Sequence, residues 1–384
     1  MPKILTVIGT RPEAIKLAPV LQAFARHGGE IVSRVCVTAQ HRELMDQVLG
    51  RFGLQVHHDL DIMAPNQTPS DVAAAILIGM QPVLAQEQPD WVVVQGDTTT
   101  AAMAALAAAG GGWRVAHVEA GLRTFDRTQP FPEELNRCLI AQMADLHLAP
   151  TPRARDNLLA EGIASERILV VGNTGIDALF DTVAGLGTEA LPPPLGALPA
   201  DARVVLATAH RRENLGEPFA RICAALRDIA ALDERIHVVY PLHPRPEIRL
   251  VGQQLLGDAP RVVLCPPLDH LSLVRLMLRS ELVITDSGGM QEEAPTLGRP
   301  VLVMREVTER PEAIDVDAAR LVGTDREEIV AAARHFLGGG FAPAHRSQPP
   351  LCYGDGRAAE RIAAALLGQA VEPWVPRVSV AGRR

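Results

Sequence analysis

Short runs of Val, Ile and Leu recur along the chain, each followed by a longer amphipathic segment. This alternation limits the fold more than any other feature. Strands are expected at 3–8, 32–37, 91–95, 114–118, 145–149 and 168–171, then at 203–207, 236–240, 261–264, 281–285 and 300–304. Between them helices are expected at 13–27, 41–51, 69–87, 99–109, 132–143 and 153–160. The later helices fall at 174–184, 218–231, 246–256, 270–279, 288–297, 326–337 and 356–368. Strands joined through helices make right-handed crossovers and parallel sheets, so the class is α/β. A chain of 384 residues exceeds one ordinary core, and the strand count fits two sheets. The boundary is expected near 172–202, where Pro192, Pro193 and Pro194 form a stiff stretch, either a connector or a loop of the second domain. A second Pro/Gly-rich stretch, 338–356, precedes the last helix, which is then free to return to the first domain.

Composition excludes several function classes. A net charge of −8, with no basic run, argues against general nucleic-acid binding. The 5 cysteines are dispersed and lack a C-x-x-C pair, as expected of buried thiols in a reducing compartment. No charged start leads into a long apolar segment, and no apolar run reaches the ~18 residues of a membrane span. A soluble, cytoplasmic protein is expected. There is no Walker A pattern, no G-x-G-x-x-G after the first strand, and no H-E-x-x-H. Phosphate-loop, nicotinamide, flavin and zinc chemistry are therefore disfavoured.

In parallel sheets, ligands bind at the carboxyl ends of strands, and the polar motifs of this chain lie there. Gly9-Thr10-Arg11-Pro12-Glu13-Ala14-Ile15-Lys16 follows the first strand and opens a helix, a junction whose bare N–H groups and dipole attract an anion. Arg11 and Lys16 add cationic side chains, and Lys16 is one of only two lysines in the chain. Asp97 after the third long strand reads as an N-cap or a catalytic carboxylate. Glu119 stands directly on a strand tip, where capping explains it less well. Glu133 and Arg137 are spaced as an i,i+4 pair at a helix start, with Glu134 adjacent. His210-Arg211-Arg212 follows a strand and suits an anion. Ser287-Gly288-Gly289 before a helix leaves backbone N–H groups open, as a phosphate cradle requires, with Glu293 able to accept from a ribose diol and Arg310 at another turn.

Taken together, the segments GTRPEAIK, TAQHRELMDQVL, GDTTT, HVEAGLRT, PEELNR, GNTGIDAL, HRREN, DSGGMQEEAPTLGRPVLVMREVTERPEA and YGDG resemble the non-hydrolysing UDP-N-acetylglucosamine 2-epimerases, in order from about residue 3 to 367. The resemblance implies a GT-B fold, with two Rossmann-like domains whose parallel sheets face a central cleft. It divides the chain into residues 1–172, with a C-terminal helix 356–384 packing back on them, and a UDP-binding domain over 173–355. It implies interconversion of UDP-GlcNAc and UDP-ManNAc without an added cofactor or metal, as a homodimer. UDP leaves to give 2-acetamidoglucal and then re-adds. Carried over by motif, Asp97, Glu119 and Glu133 are the catalytic carboxylates, His210 stabilises the departing phosphate, and Arg137 orients Glu133. Arg11, Lys16, Ser287, Gly288, Gly289 and Arg310 hold UDP, with Glu293 on the ribose. Some bacterial members have an activating second UDP-GlcNAc site; Gln40, His41, Arg42, Gln67 and His243 match it, while Asn66 stands where an Arg is expected. The segment Pro267-Leu268-Asp269-His270-Leu271-Ser272-Leu273 lacks the aromatic pair that many members place beside uracil. A hydrolysing 2-epimerase, a GT-B glycosyltransferase and a non-catalytic nucleotide-sugar-binding regulator are the competing readings.

Overall fold

A computed structural model describes residues 1–38, 50, 52–64, 67–187, 190–340 and 343–377. The helix expected at 41–51 lies outside the described residues except for Gly50. The chain forms two compact α/β units, the first comprising Met1–Ala178 and Tyr353–Pro376 and the second running through Leu179–Cys352.

The first unit holds β1 (Lys3–Ile8), α1 (Arg11–Arg26), β2 (Val32–Val37), β3 (His58–Asp59), α2 (Pro69–Glu87), β4 (Trp91–Gln95) and α3 (Thr99–Gly110). It continues with β5 (Arg114–Val118), α4 (Glu133–Met143), β6 (Leu146–Ala149), α5 (Pro152–Ala160), β7 (Ile168–Val170) and the start of α6 (Thr174–Ala184). The strands form a seven-stranded sheet in the order β3-β2-β1-β4-β5-β6-β7, and the described pairs are all parallel. Both faces are covered, which explains the unbroken apolar runs. Ile4, Ile8, Val93 and Val118 pack with Leu17, Val20 and Phe24 of α1 on one face. Leu5, Val7, Val92 and Val94 pack with Met80 of α2, Ala101 and Ala105 of α3, and Ile140 of α4 on the other. Alternate residues of one strand thus feed opposite cores.

The second unit holds β8 (Arg203–Thr208), α7 (Glu217–Ala230), β9 (Ile236–Pro241), α8 (Pro246–Leu256), β10 (Val262–Cys265), α9 (His270–Arg279) and β11 (Ser280–Thr285). It then holds α10 (Gly288–Thr296), β12 (Val301–Val303), β13 (Ala319–Leu321), α11 (Arg326–His335) and α12 (Pro343–Ser347). Its six-stranded parallel sheet has the order β10-β9-β8-β11-β12-β13. The short strands β3 and β13 carry too few residues to leave a periodic signature, so the sequence reading omits them. The division at Ala178 and Leu179 falls within α6, and the proline run lies inside the second unit.

The chain returns to the first unit through α13 (Ala358–Leu366), whose Ala359, Ile362, Ala363 and Leu366 join the α1 core. The returning helix ends at Leu366 rather than running to the C-terminus; beyond it the Trp374 N–H donates to the Val170 carbonyl at 2.9 Å. The start of α13 is held by Asp177 of α6, which accepts from the Ala358 and Ala359 N–H groups at 3.1 and 2.7 Å. A side-chain carboxylate from a different helix does the work of an N-cap. Among the described residues, no helix is long and apolar enough to cross a membrane, and the 5 cysteines are unpaired. Asp177→Ala is expected to lower unfolding stability by about 2 kcal/mol, because it strands two buried N–H groups. Chemical denaturation of both proteins measures this, and an unchanged midpoint would show that α13 docks without its cap.

Candidate active site

In each unit the strand order reverses at one place: between β1 and β4 in the first, between β8 and β11 in the second. Loops leaving the carboxyl ends of such a strand pair diverge and open a crevice. The turns after β1 and β4 carry Arg11 and Asp97, and those after β8 and β11 carry His210 and Ser287.

At the β1–α1 turn the structure departs from the sequence expectation. The N–H groups expected to be bare for a ligand are taken by the chain's own Glu13, whose Oε2 accepts from Gly9 at 3.1 Å and Thr10 at 2.6 Å. Its Oε1 accepts from the Thr98 hydroxyl at 2.8 Å, next to Asp97. Glu13 therefore welds the turns after β1 and β4 together. Burial pushes its pKa up to about 7, against the lowering effect of the Thr10 and Thr98 side chains and the two backbone donors. Gly9 is obligatory here, since a Cβ would fall 2.2 Å from the Thr100 hydroxyl. Arg11 is the first residue of α1, half-buried at this turn.

Asp97 is gripped from α4. Arg137 donates to its Oδ2 at 2.5 Å, and the Asn136 amide donates to its carbonyl at 2.8 Å. The preceding Gly96, at φ +72°, has its carbonyl 2.7 Å from the His117 Nε2. Burial lowers the His117 pKa to about 4, so this ring is a neutral donor to a carbonyl. Its strand neighbour His147 is lowered to about 3, also by burial. Glu134, which the sequence leaves interchangeable with Glu133, is committed to structure: Oε1 accepts from the Thr124 and Phe125 N–H groups and Oε2 from Arg137 at 2.8 Å. Glu133, first residue of α4, is half-buried.

Glu119 follows β5 with φ +66°, an uncommon left-handed conformation for a residue with a side chain. Its N–H and that of Ala120 both donate to the Leu148 carbonyl of β6. The side chain is 4% exposed and pairs with Lys16, itself 12% exposed. Strained, buried, ion-paired carboxylates on a strand tip are typical of reactive sites. The structure thus places Lys16 on Glu119, about one and a half helical turns beyond Arg11.

In the second unit, fully buried Asp286 organises the turn after β8. It accepts from the His210 N–H at 2.9 Å, the Arg211 N–H at 2.9 Å and the Asn214 amide at 3.0 Å. His210 Nδ1 lies 3.1 Å from the same carboxylate. Burial alone would raise the Asp286 pKa, but the His210 ring and these N–H donors outweigh it and hold it below the ordinary value. Such an acid–imidazole pair fixes the ring with Nδ1 engaged. The opposite edge of that ring is left for a partner outside the pair. His243 stacks on His210, with centroids 5.6 Å apart.

Ser287 occupies the N-cap of α10 without a side-chain capping bond. The Arg310 guanidinium lies against Gly288, where a Cβ would meet it at 2.9 Å, and Glu293 Oε1 lies 3.6 Å from the corresponding position on Gly289. Only glycine admits Arg310 this close to the helix start. Arg310 is also held by Glu292 at 2.7 Å and by Glu309, which in turn accepts from Arg305 at 2.9 Å. Two arginines and two glutamates balance within this buried network, which fixes the Arg310 guanidinium beside the N-terminus of α10.

Of the residues matched to the activator site, Gln40, His41 and Arg42 lie outside the described residues, as does Asn66. Gln67 folds onto its own loop through Ile62 and Ala64, and His243 stacks on His210. His270 is buried and Leu273 half-buried on α9, which Asp269 caps through the Ser272 N–H at 2.9 Å. Asp286, Glu13, His117 and Asn173 were given no role by the sequence reading. For Asp286, His117 and Asn173 the signal is tertiary, since each acts on a residue far away in the chain, whereas Glu13 stands in the local T-x-x-E spacing of a capping box with Thr10.

A family model described as UDP-N-acetylglucosamine 2-epimerase matches residues 23–367. The UDP-N-acetylglucosamine 2-epimerase of Salmonella typhimurium is 47% identical over 375 residues, covering 95% of this chain and 98% of that protein. The enzyme of the same name from Bacillus subtilis is 44% identical over 365 residues, covering 95% of each. The crystal structure of UDP-GlcNAc 2-epimerase from Neisseria meningitidis bound to UDP-GlcNAc superposes with a TM-score of 0.92 at 41% identity, covering 96% of this chain and 100% of that one.

Glu13 generates a pH prediction. Its folded pKa, about 7, lies above the ordinary 4.5, so the folded state holds the extra proton between these values. Its contribution to stability therefore falls as pH rises from 4.5 to 7, by roughly 3 kcal/mol. Glu13→Gln removes this titration, so its melting temperature relative to wild type is expected to climb between pH 5 and pH 8. A constant gap across that range in scanning calorimetry would show that Glu13 is ionised throughout.

Proposed function

Because the chain belongs to the UDP-N-acetylglucosamine 2-epimerase family, we propose that it interconverts UDP-GlcNAc and UDP-ManNAc by elimination and re-addition, without hydrolysis. The carbon-2 hydrogen of the sugar is not acidic in the ground state. As the carbon-1–oxygen bond breaks, its electron pair leaves with the β-phosphate of UDP and positive character builds on the ring. A carboxylate then takes the carbon-2 proton, and the carbon-1=carbon-2 bond of 2-acetamidoglucal forms. In the return step, a proton reaches the other face of carbon 2 and UDP rejoins carbon 1.

This route needs proton carriers and strong stabilisation of a leaving anion. The observation that carries the reading is the pairing of carboxylates and cations at the β4 and β5 tips, Asp97 with Arg137 and Glu119 with Lys16. Asp97, Glu119 and Glu133 move the protons in this proposal. Arg11, His210, Arg310, Lys16 and the Ser287–Gly289 backbone stabilise the diphosphate, with Glu293 on the ribose. Asp286 keeps His210 oriented toward the departing phosphate. Arg137 orients the carboxylates of α4 and Asp97. No added cofactor is invoked.

We also propose a homodimer. Leu106 of α3 and Leu135 and Leu139 of α4 are exposed on neighbouring helices, an apolar surface that association would cover. Light scattering is expected to give twice the chain mass, with Leu139→Arg moving the protein toward monomer. A wild-type monomer at working concentration would remove the dimer.

Proton NMR of the protein with UDP-GlcNAc in deuterium oxide tests the reaction. UDP-ManNAc carrying deuterium at carbon 2 is expected. Free ManNAc with UDP would replace this reading with the hydrolysing reaction, and transfer to an added sugar would indicate a transferase. Asp97→Asn is expected to bind UDP as wild type does and to turn over at least ~100-fold more slowly; near-normal turnover would remove Asp97 from the mechanism.

A further inference from the structure

Two donors converge on the same oxygen of Glu119. Lys16 Nζ from α1 is one, and the Asn173 side-chain amide, 3.3 Å from Oε2, is the other. Asn173 is 1% exposed and sits in the turn between β7 and α6. Its orientation is fixed by chemistry on both sides. The side-chain Oδ1 accepts from the Gly175 N–H at 2.8 Å, so the Nδ2 end must be the one that faces Glu119. Reversing the amide would set oxygen against carboxylate and nitrogen against N–H. The Asn173 backbone N–H donates to the Tyr353 carbonyl at 2.6 Å, at the point where the chain returns to this unit. The Lys16 stem runs past the same turn, where a Cβ added at Gly175 would stand 3.5 Å from Lys16 Cε.

We propose that Asn173 is a positioning residue for the epimerisation, holding the Glu119 carboxylate in place while Glu119 gains and loses a proton. This rests on the reading that Glu119 moves a substrate proton. The ion pair with Lys16 is strong only while Glu119 is ionised. When Glu119 takes up the proton, that attraction lapses, and a carboxyl group on a left-handed backbone residue is free to turn. An amide cannot ionise, so it offers the same hydrogen bond in both states and exchanges no proton with the substrate. Lys16 is a charged group contacting this carboxylate, and His117 of β5 is spent on the Gly96 carbonyl.

Full-length Asn173→Asp keeps an oxygen for Gly175 and removes the donor; Asn173→Ala removes it without adding charge. For both, UDP-GlcNAc turnover is expected to fall roughly tenfold, about the value of one hydrogen bond to a charged group. KM stays within about twofold, because the lost contact is not a substrate contact. A merely structural role would lower the melting temperature and leave kcat of the folded variants at the wild-type value. Wild-type turnover in either folded variant overturns the proposal. Glu119→Gln, measured alongside, separates the two failures. If it is inactive while the Asn173 variants are normal, the Asn173 role alone falls. If Glu119→Gln turns over normally, the reading of Glu119 falls and this inference with it.

Discussion

The crossover rule of parallel sheets is the constraint from which the rest follows. Each strand must be re-entered from the same end, so every strand-to-helix turn emerges at one edge of its sheet. In the first unit the chain builds outward from β1 through β2 to β3, then restarts on the other side at β4. Only between β1 and β4 do consecutive turns diverge, and Glu13 and Thr98 meet there. The second unit repeats this between β8 and β11, where Asp286 meets His210. Two unrelated local sequences, GTRPEAIK and DSGG, carry their chemistry at the corresponding topological place, which a loop elsewhere on the sheet would not supply.

At those places the chain supplies its own counter-charges. Glu13 fills an anion position built from backbone N–H groups. Arg137 is neutralised by Asp97 and Glu134, Lys16 by Glu119, and Arg310 by Glu292 and Glu309. A buried charge without a partner costs several kcal/mol, and these pairs remove that cost. Under the proposed function, a diphosphate would meet groups already oriented, without the reorganisation that water would need. Glu119 shows the cost of such order, since its left-handed backbone is tolerated because two β6-directed N–H bonds and the Lys16 pair hold it.

Much of this was legible in one sequence. The β1 range of 3–8 and the α2 range of 69–87 follow from period and caps alone, because both are long, apolar-patterned and bounded by Pro or Gly. Asp97, Glu119 and Ser287 could be singled out because a polar residue on a strand tip is conspicuous beside a run of valines. What could not be read was which partner each residue takes. Glu133 and Glu134 are adjacent and alike in sequence, and only the fold shows the second spent on Arg137 and two backbone N–H groups. The β1–α1 turn reads as an open anion site unless the T-x-x-E spacing of Thr10 to Glu13 is taken as a capping box, which brings Glu13 back onto it. β3 and β13 were missed because two or three residues carry no period.

The GNTGID segment makes the same point from the other direction. As sequence it looks like one more ligand loop after a strand. In the fold, Asp177 caps α13, the Asn173 backbone ties to Tyr353, and the Asn173 side chain reaches Glu119. The segment connects the point where the polypeptide comes back to the first unit with the carboxylate at the tip of β5. Its residue choices follow from that geometry. A Cβ at 354 would press to within 3.3 Å of the Asn173 backbone, so Gly354 lets the returning strand approach closely enough for the Tyr353 carbonyl to reach the Asn173 N–H. Loosening the return would therefore reach the Glu119 carboxylate through a continuous set of short contacts, so anchorage of the chain end and placement of a site residue are served by the same turn.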